Sequence, residues 1–204
     1  LRNTVDGVVL NMAIDGSEHE CYVNLPGGYN IYNAAGAVTA ALAAGLSLDL
    51  ALAACADFHC GFGRMEKFTL GKALTRMILI KNPAGCNQVL NFLTNLDTEA
   101  RFVICMNDNI ADGTDISWIW DVDFETLPGM GDRLKSVTLS GLRAWDMALR
   151  LKYAGVPMDK LSVCADYGEL LKEIADDDTP VFIMPSYTAM LELRDRICRE
   201  YGYG

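Results

Sequence analysis

The segment Arg76–Gly85 (RMILIKNPAG) decides the fold class, because an apolar run passes directly into a turn that opens a helix. The same pattern recurs downstream. Further strands are predicted at 101–107, 135–140, 161–164 and 181–184, and helices at 86–96, 142–153, 167–175 and 187–200. Apolar strands that alternate with amphipathic helices are typical of a parallel, doubly wound sheet. The sequence therefore predicts an α/β protein with a Rossmann-like, mostly parallel sheet.

The N-terminal part of the chain has a different pattern. Two strands, at 5–14 and 20–24, flank Asp15-Gly16, which supplies the turn of a hairpin. An alanine-rich helix is predicted over 30–44 and ends at Gly45, and Ser47 caps a second helix that runs to about residue 57. Two strands and two helices are too few for a complete domain.

These patterns define a domain organisation. Residues 1–62 are predicted to be the C-terminal remnant of a larger α/β domain, residues 63–71 a hinge, and residues 72–204 the Rossmann-like domain. The glycines of Gly61–Gly71 favour a linker there. The chain starts at Leu1, which leads us to expect a longer protein, and no basic region before an apolar stretch indicates a signal peptide.

Composition excludes several classes of protein. Hydrophobic residues make up 51% of the 204 residues, enough to bury a core. The 17 Lys and Arg against 27 Asp and Glu give a net charge of −10, which disfavours nucleic acid as a partner. The longest uncharged run, Cys21–Leu48, is broken by Pro26 and Gly27, so no transmembrane segment is expected.

The seven cysteines are odd in number and form no Cys-x-x-Cys pair, and the chain has two histidines. A disulfide framework and a zinc site are therefore not expected. Buried thiols in a reducing cytoplasm are the simpler interpretation. His59-Cys60 is the one adjacent pair of such residues, but neighbouring residues rarely face the same point.

Two amides stand at the start of the alanine-rich helix. Asn30 and Asn33 are three residues apart, so they share a face near the helix N-terminus. An amide offers a donor and an acceptor, which complements an adenine edge. The alternative is that Asn30 caps the helix and Asn33 has no special role.

Two turns carry basic side chains suited to phosphate. Arg64, within Gly63–Glu66, lies in the predicted hinge, where a guanidinium can clamp a phosphate when domains close. Lys81 and Asn82 follow an apolar strand, at the edge where open α/β sheets bind ligands. A surface Arg–Glu pair and a plain Pro-Gly turn are the alternatives. No P-loop sequence is present.

The stretch Asn107–Asp123 (NDNIADGTDISWIWDVD) is the most unusual in the chain. No Lys or Arg occurs between Phe102 and Asp132, although carboxylates crowd there. Clustered carboxylates raise one another's pKa unless a cation or a donor compensates. Trp118 and Trp120 flank Ile119, so the three cannot face one core. A functional loop is predicted, with a solvated acidic loop as the alternative; the spacing does not fit an EF-hand.

Together these motifs resemble the Mur ligase family. Residues 28–35 (GYNIYNAA) are similar to the helix start of the Mur central domain, where an Asn contacts adenine, and Gly63–Glu66 resembles the family's hinge. Lys81–Asn87 (KNPAGCN) replaces the usual Asp-Tyr-Ala-His-Asn-Pro turn, so the ribose-binding Asp of that turn has no counterpart. That change and the Asn107–Asp121 motif resemble the MurT-type members of the family.

The resemblance implies an activity. MurT-type subunits use ATP and Mg²⁺ to phosphorylate the α-carboxylate of D-glutamate in the lipid II stem peptide. Ammonia from a class I glutaminase-type amidotransferase subunit then gives D-isoglutamine. Asn30, Asn33, Arg64, Lys81 and Asn82 are the implied ATP-binding residues.

The resemblance further implies that an Asp of this domain completes the partner's Cys–His pair. Asp115 is the first candidate and Asp112 the second. The P-loop and a zinc ribbon are expected upstream of Leu1, so no zinc and no activity are expected from this part alone.

Two other functions remain open on the sequence. One is a Mur or folylpolyglutamate-type ligase that adds an amino acid instead of ammonia, although the altered turn and the acidic loop argue against it. The other is a non-catalytic domain that docks a glutaminase; it would bind the partner but no nucleotide.

Overall fold

The computed structural model describes residues 2–3, 7–59 and 63–203. The chain divides into two compact units, residues 1–61 and residues 62–204, which are described separately below. Cys60, Gly61 and Phe62 lie outside the described residues, as do Val5 and Asp6, so the expectations for the His59-Cys60 pair and for the start of the first strand are not addressed.

The first unit contains an antiparallel sheet and two helices. The strands are β1 (Arg2–Asn3), β2 (Val8–Ile14) and β3 (Ser17–Val23), and the helices are α1 (Tyr29–Ala43) and α2 (Leu48–Asp57). Asp15 and Gly16 both have positive φ, 49° and 80°, which is the geometry of a two-residue hairpin turn. The predicted hairpin is confirmed.

Both predicted helix boundaries between α1 and α2 are confirmed. Gly45 has φ +84°, its N–H donates to Leu42, and the N–H of Leu46 donates to Ala41. This is the Schellman ending that a glycine favours. Ser47 then accepts a hydrogen bond from the N–H of Leu50 at 3.3 Å and caps α2.

The second unit is built on a six-stranded sheet of order β4-β5-β9-β6-β7-β8. The strands are β4 (Arg64–Leu70), β5 (Ala73–Ile78), β6 (Ala100–Cys105), β7 (Leu134–Ser140), β8 (Leu161–Val163) and β9 (Val181–Pro185). The helices are α3 (Pro83–Thr94), α4 (Ala144–Tyr153), α5 (Tyr167–Asp176) and α6 (Tyr187–Tyr201). Strand β4 pairs antiparallel with β5 and the other pairs are parallel, so the predicted mostly parallel α/β sheet is confirmed.

The segment predicted as a linker is not a loop. Arg64–Leu70 forms β4 and pairs with β5, which itself begins at Ala73, three residues earlier than predicted. The pairing shifts between Arg64 and Glu66, and Met65 has φ +60° at this bulge. A bulge breaks the two-residue alternation by which a strand is recognised, so the sequence pattern did not indicate one.

The core of the second unit lies on both faces of the sheet. Val103, Cys105 and Ile183 point to the face that α5 and α6 cover. Their neighbours along the strands point the opposite way, where the rings of Phe102 and Phe182 lie 5.9 Å apart. Burial in this core raises the pKa of the Cys105 thiol. Among the described helices, none is long and apolar enough to cross a membrane.

Candidate functional site

The carboxyl ends of β6 and β9 are tied together by polar side chains. Cys105 and Pro185 are register partners there. The N–H of Asn107 donates to Ser186 Oγ at 3.0 Å, and Asn107 Nδ2 donates to Thr188 Oγ1 at 3.0 Å. The residues that follow β6 therefore leave the sheet along the N-terminus of α6.

Asp112 also connects the loop after β6 to the N-terminus of α6. Its Oδ1 accepts the N–H of Thr188 at 2.7 Å, and its Oδ2 accepts the hydroxyl of Thr188 at 2.6 Å and the N–H of Asn109 at 3.2 Å. The first N–H groups of a helix have no partner within the helix. Asp112 provides one for α6 and, as an anion at a helix N-terminus, is placed favourably. Its carboxylate is thus occupied within the fold.

Asp115 has a different environment. Its side chain is exposed, and its Oδ1 accepts the N–H of Ser117 at 2.8 Å. This hydrogen bond lowers the pKa of Asp115, which is therefore ionised at neutral pH. Its hydrogen bonds stay within its own turn, so the carboxylate points a charge at solvent from a fixed position.

Arg150 on α4 fixes the second half of this loop. The side chain is 3% exposed; Nε donates to the carbonyl of Ile119 at 3.1 Å and Nη2 to that of Val122 at 2.6 Å. Nη2 also pairs with Glu125 at 2.9 Å, which lowers the pKa of Glu125. The guanidinium lies 5.5 Å from the ring centre of Trp120. One buried cation therefore holds two carbonyls of the loop and the carboxylate of Glu125 that follows it.

The tryptophans of the stretch behave as the alternation predicted. They lie in a 3₁₀ turn, Ser117–Asp121, in which Ile119 is buried and Trp120 is 50% exposed. The ring of Trp120 packs beside Tyr153, with 5.9 Å between ring centres. The stretch is thus mostly exposed to solvent, with Ile119 and Val122 buried beneath it.

The loop after β7 closes the same edge of the sheet. Gly141 has φ +84°, and a Cβ there would lie 2.6 Å from the carbonyl oxygen of Met106, so only glycine fits. The N–H of Leu142 donates to Asn107 Oδ1 at 2.9 Å, and Arg143 pairs with Asp108 at 3.2 Å. Within the part of the chain that the structure describes, no three His, Cys, Asp or Glu side chains form a group that could hold a metal ion.

The amides of the first unit lie together, as their spacing predicts. Asn30 is buried; its Nδ2 donates to the carbonyl of Pro26 at 2.7 Å and its Oδ1 accepts from Asn33 at 3.2 Å. Gly28, not Asn30, is the N-cap of α1. Asn33 is exposed at the edge of a pocket of about 310 Å³ between α1 and α2, whose walls are apolar and include Val38 and Leu50.

The basic candidates of the second unit are exposed. Arg64 begins β4, opposite Ile78, whereas Glu66 pairs with Arg194 on α6 at 2.9 Å and not with Arg64. Lys81 is exposed one residue before Asn82, whose Oδ1 accepts the N–H of Gly85 at 2.8 Å and caps α3. The Asn82 oxygen is therefore engaged, while Arg64 and Lys81 are accessible.

The acidic loop lies inside a region that a family model matches. The model for the MurT ligase C-terminal domain covers residues 79–190, which is more than half of the chain. The chain belongs to this family. The MurT-type match includes both Asp112 and Asp115 and both anchors of the loop, Thr188 and Arg150.

Curated relatives agree with the family. The lipid II isoglutaminyl synthase (glutamine-hydrolyzing) subunit MurT of Streptococcus pneumoniae is 35% identical over 183 residues, which cover 89% of this chain and 40% of that protein. The subunit of the same name from Staphylococcus aureus strain COL is 31% identical over 89% of this chain and 41% of that protein. The chain thus spans about two fifths of the length of these relatives.

Solved structures share the fold. MurF from Acinetobacter baumannii has a TM-score of 0.70 at 17% identity and covers 95% of this chain and 44% of its own. Folylpolyglutamate synthase from Mycobacterium tuberculosis, complexed with ADP, has a TM-score of 0.67 at 20% identity and covers 95% of this chain and 46% of its own. At these identities the likeness concerns the fold alone.

Two residues that organise the site were not predicted. Thr188 connects Asn107, Asn109 and Asp112 through one hydroxyl, and Arg150 holds the turn that contains Trp120. Both lie on predicted helices, far in sequence from the loop that they hold. Nothing in a single sequence links them to it.

Proposed function

We propose that this chain is the C-terminal part of the ATP-dependent subunit of a lipid II isoglutaminyl synthase. The names of the MurT relatives and the family match support this assignment. The whole subunit would activate the D-glutamate α-carboxylate of the lipid II stem peptide, and ammonia from a glutaminase partner would complete the amide. The reaction belongs in the cytoplasm, where ATP is available. ATP supplies the phosphoryl group that gives the carboxylate a leaving group.

One observation carries the proposed role of this part. Asp115 is exposed and ionised on a turn in which it accepts the N–H of Ser117, while Asp112 is hydrogen-bonded to the start of α6. A Cys–His pair needs a third group that orients the imidazole and stabilises its charged form. We infer that Asp115 supplies that group to the glutaminase across the interface between the subunits.

The candidate nucleotide residues fit this function to different degrees. The apolar pocket beside Asn33 suits a flat purine ring, and the exposed amide offers an adenine edge a donor and an acceptor. Arg64 and Lys81 are accessible cations for phosphate oxygens. Asn30 and Asn82 make structural hydrogen bonds, so their roles would be to place Asn33 and Lys81. The Mg²⁺ that accompanies ATP is part of the proposal, without assigned ligands in this chain.

The test uses the full-length subunit with its glutaminase. Asp115→Asn keeps the shape of the side chain and removes its charge. Glutamine-dependent product should fall at least a hundredfold, as expected for loss of an orienting carboxylate, and a high concentration of ammonium should restore product.

Asp112→Asn is the matched control, because it removes a charge from the same loop. It should retain glutamine hydrolysis if Asp115 alone reaches the partner. If ammonium fails to rescue Asp115→Asn, the residue acts in carboxylate activation or folding. If hydrolysis is unchanged, the proposed role of Asp115 is wrong.

A further inference from the structure

Arg64 is exposed because a bulge interrupts strand β4. Side chains alternate between the two faces of a regular strand. Without the bulge, Arg64 would lie on the same face as Glu66 and Phe68, which is the face that α5 and α6 cover. Arg64 and Glu66 pair with adjacent residues of β5, and Met65 is the extra residue between them. Met65 is buried and Arg64 is exposed, so the bulge turns the Arg64 side chain toward solvent.

The bulge has a backbone conformation that needs support. Met65 has φ +60°, in the left-handed region that a residue with a Cβ rarely adopts. Gly63 has φ +69°, and a Cβ there would overlap the Sδ of Met190 on α6. The carbonyl of Gly63 accepts the N–H of Leu79 at 2.8 Å, which fixes the start of the strand. Backbone strain of this kind persists only where the surrounding contacts hold it.

The carboxylate of Glu66 supplies such contacts. Its Oε2 accepts the N–H of Gly63 at 3.2 Å, a hydrogen bond that spans Arg64 and Met65. Both oxygens also accept from Nε of Arg194 on α6, Oε1 at 2.9 Å and Oε2 at 3.2 Å. The Glu66 side chain is 18% exposed and that of Arg194 is 34% exposed, so solvent screens this ion pair less than one on the open surface. Arg194 thus fixes the carboxylate that spans the bulge.

The same ion pair determines which cation Glu66 compensates. Arg64 and Glu66 are two positions apart in the sequence. A Glu66 carboxylate that turned toward Arg64 would neutralise the charge that a phosphate oxygen requires. In the structure, Glu66 is engaged by Arg194, which leaves the exposed guanidinium of Arg64 to another anion. Arg194 therefore acts on Arg64 in two ways: it holds the backbone that presents Arg64, and it occupies the neighbouring carboxylate.

We propose that Arg194 is a positioning residue for ATP binding and that it acts on Arg64 through Glu66. This inference rests on the proposed function, in which Arg64 binds a phosphate oxygen of ATP. A guanidinium recognises phosphate through directed hydrogen bonds, so its placement matters as well as its charge. Arg194 needs no contact with the nucleotide, since its Nε is committed to Glu66.

The experiment measures product formation by the full-length subunit in complex with its glutaminase, with ammonium as the nitrogen source and ATP as the varied substrate. Arg194→Ala should raise the KM for ATP at least about threefold with little change in kcat, because a misplaced binding group weakens binding of the substrate. A merely structural role would instead reduce the amount of active enzyme, which lowers kcat and leaves the KM unchanged.

Two further variants control for charge and for stability. Arg194→Lys keeps a cation beside Glu66, so its KM should lie between those of the wild type and Arg194→Ala. It also keeps the test available if Arg194→Ala does not fold. The matched control is Arg196→Ala. Arg196 lies on the same helix and pairs with Glu192 at 3.3 Å, and its replacement should leave the KM for ATP unchanged.

A double variant tests whether Arg194 acts through Arg64. Arg64→Ala alone should raise the KM for ATP at least about tenfold, as expected for loss of a hydrogen bond to a charged group. Arg64→Ala/Arg194→Ala should have the same KM as Arg64→Ala, because the effects of residues that act as a unit do not add. Effects that multiply in the double variant would mean that Arg194 acts independently of Arg64, and the proposal would be overturned.

The remaining outcomes separate this inference from the proposed function. If Arg194→Ala has the wild-type KM for ATP while Arg64→Ala does not, the positioning role is wrong and the proposed function stands. If neither variant changes the KM, the positioning role and the phosphate role of Arg64 are both wrong, although the ligase reaction itself is retained. If the wild-type complex forms no product from ATP and ammonium, the proposed function fails, and this inference fails with it.

Discussion

Asn30 and Asn33 at the start of α1 form a pair of like side chains, and so do Asp112 and Asp115 in the loop after β6. The two pairs divide in the same way. Asn30 and Asp112 bond to the fold, at the carbonyl of Pro26 and at the start of α6, whereas Asn33 and Asp115 are exposed. In each pair, one member holds the local structure and the other faces solvent.

This comparison teaches how far spacing in sequence can identify a site. The members of each pair are at positions i and i+3, and that spacing favours both members equally. Burial and hydrogen bonding assign them different roles. The member that is hydrogen-bonded within the fold is expected to contribute to stability. The exposed member is expected to contribute to binding or catalysis.

The largest effect is expected where the acidic loop is anchored. Arg150→Ala removes the donor to the carbonyls of Ile119 and Val122 and leaves both without that partner. The free energy of unfolding should fall by about 2–4 kcal/mol. Urea unfolding followed by tryptophan fluorescence measures it, because all three tryptophans lie in the second unit. A lysine cannot reproduce the planar guanidinium, so the stability of Arg150→Lys should lie between those of the wild type and Arg150→Ala. A free energy of unfolding of Arg150→Ala equal to that of the wild type would contradict the anchoring role of Arg150.

Replacement of Asp112 and replacement of Asp115 should lower the free energy of unfolding by different amounts. Asp112→Ala removes the acceptor for the N–H and hydroxyl of Thr188 and should cost about 1–2 kcal/mol, as does loss of a helix cap. Asp115→Ala should cost less than about 0.5 kcal/mol, since the residue is exposed. The same urea experiment compares them, and equal losses would remove the distinction between the two residues.

The amide pair gives a parallel test in the first unit. Asn30→Ala leaves the carbonyl of Pro26 without its donor and should lower stability by about 1 kcal/mol. Asn33→Ala should leave stability nearly unchanged and weaken ATP binding by the full-length subunit by about 0.5–1.5 kcal/mol, the value of a hydrogen bond between neutral groups. Thermal unfolding and nucleotide titration measure the two effects. Unchanged nucleotide affinity in Asn33→Ala would leave the pocket without a nucleotide role.

The smallest effect concerns Glu125, the exposed partner of Arg150. The hydrogen bond from Arg150 lowers the pKa of Glu125 below its ordinary value of 4.5. The unfolded chain therefore binds that proton more tightly, so the stabilisation is complete above 4.5 and is lost as the pH falls through the lowered pKa. Glu125→Gln should cost less than about 1 kcal/mol at neutral pH. The difference from wild type should vanish in acid; a difference independent of pH would contradict this pairing.

The sequence predicts most of the elements because their signals are local. Gly45 and Ser47 end one helix and begin the next as expected, and the alternation of strands and helices gives the parallel sheet. Strand β4 was missed because the bulge at Met65 places Met65 and Phe68 on the buried side at a spacing that no regular strand has.

The sequence predicts only part of the candidate site. The acidic stretch and its tryptophans stand out by composition, and Asp115 as the partner's third catalytic group stays a prediction. The hydrogen bond between Asp112 and Thr188 joins residues 76 positions apart, and the one between Arg150 and Ile119 joins residues 31 positions apart. Such pairings depend on strand order, which places β9 beside β6, and strand order is set by packing across the whole sheet.

The central claim is that Asp115 orients the catalytic histidine of a separate glutaminase. Nitrogen-15 NMR of that histidine, in complexes with the wild-type and Asp115→Asn subunits, tests it most directly. With the wild type, the imidazole should be held in one tautomer, with a raised pKa from the facing carboxylate. With Asp115→Asn, the pKa should fall and the tautomer preference should weaken, while Asp112→Asn leaves both as in the wild type. Identical imidazole signals in the wild-type and Asp115→Asn complexes would contradict the claim.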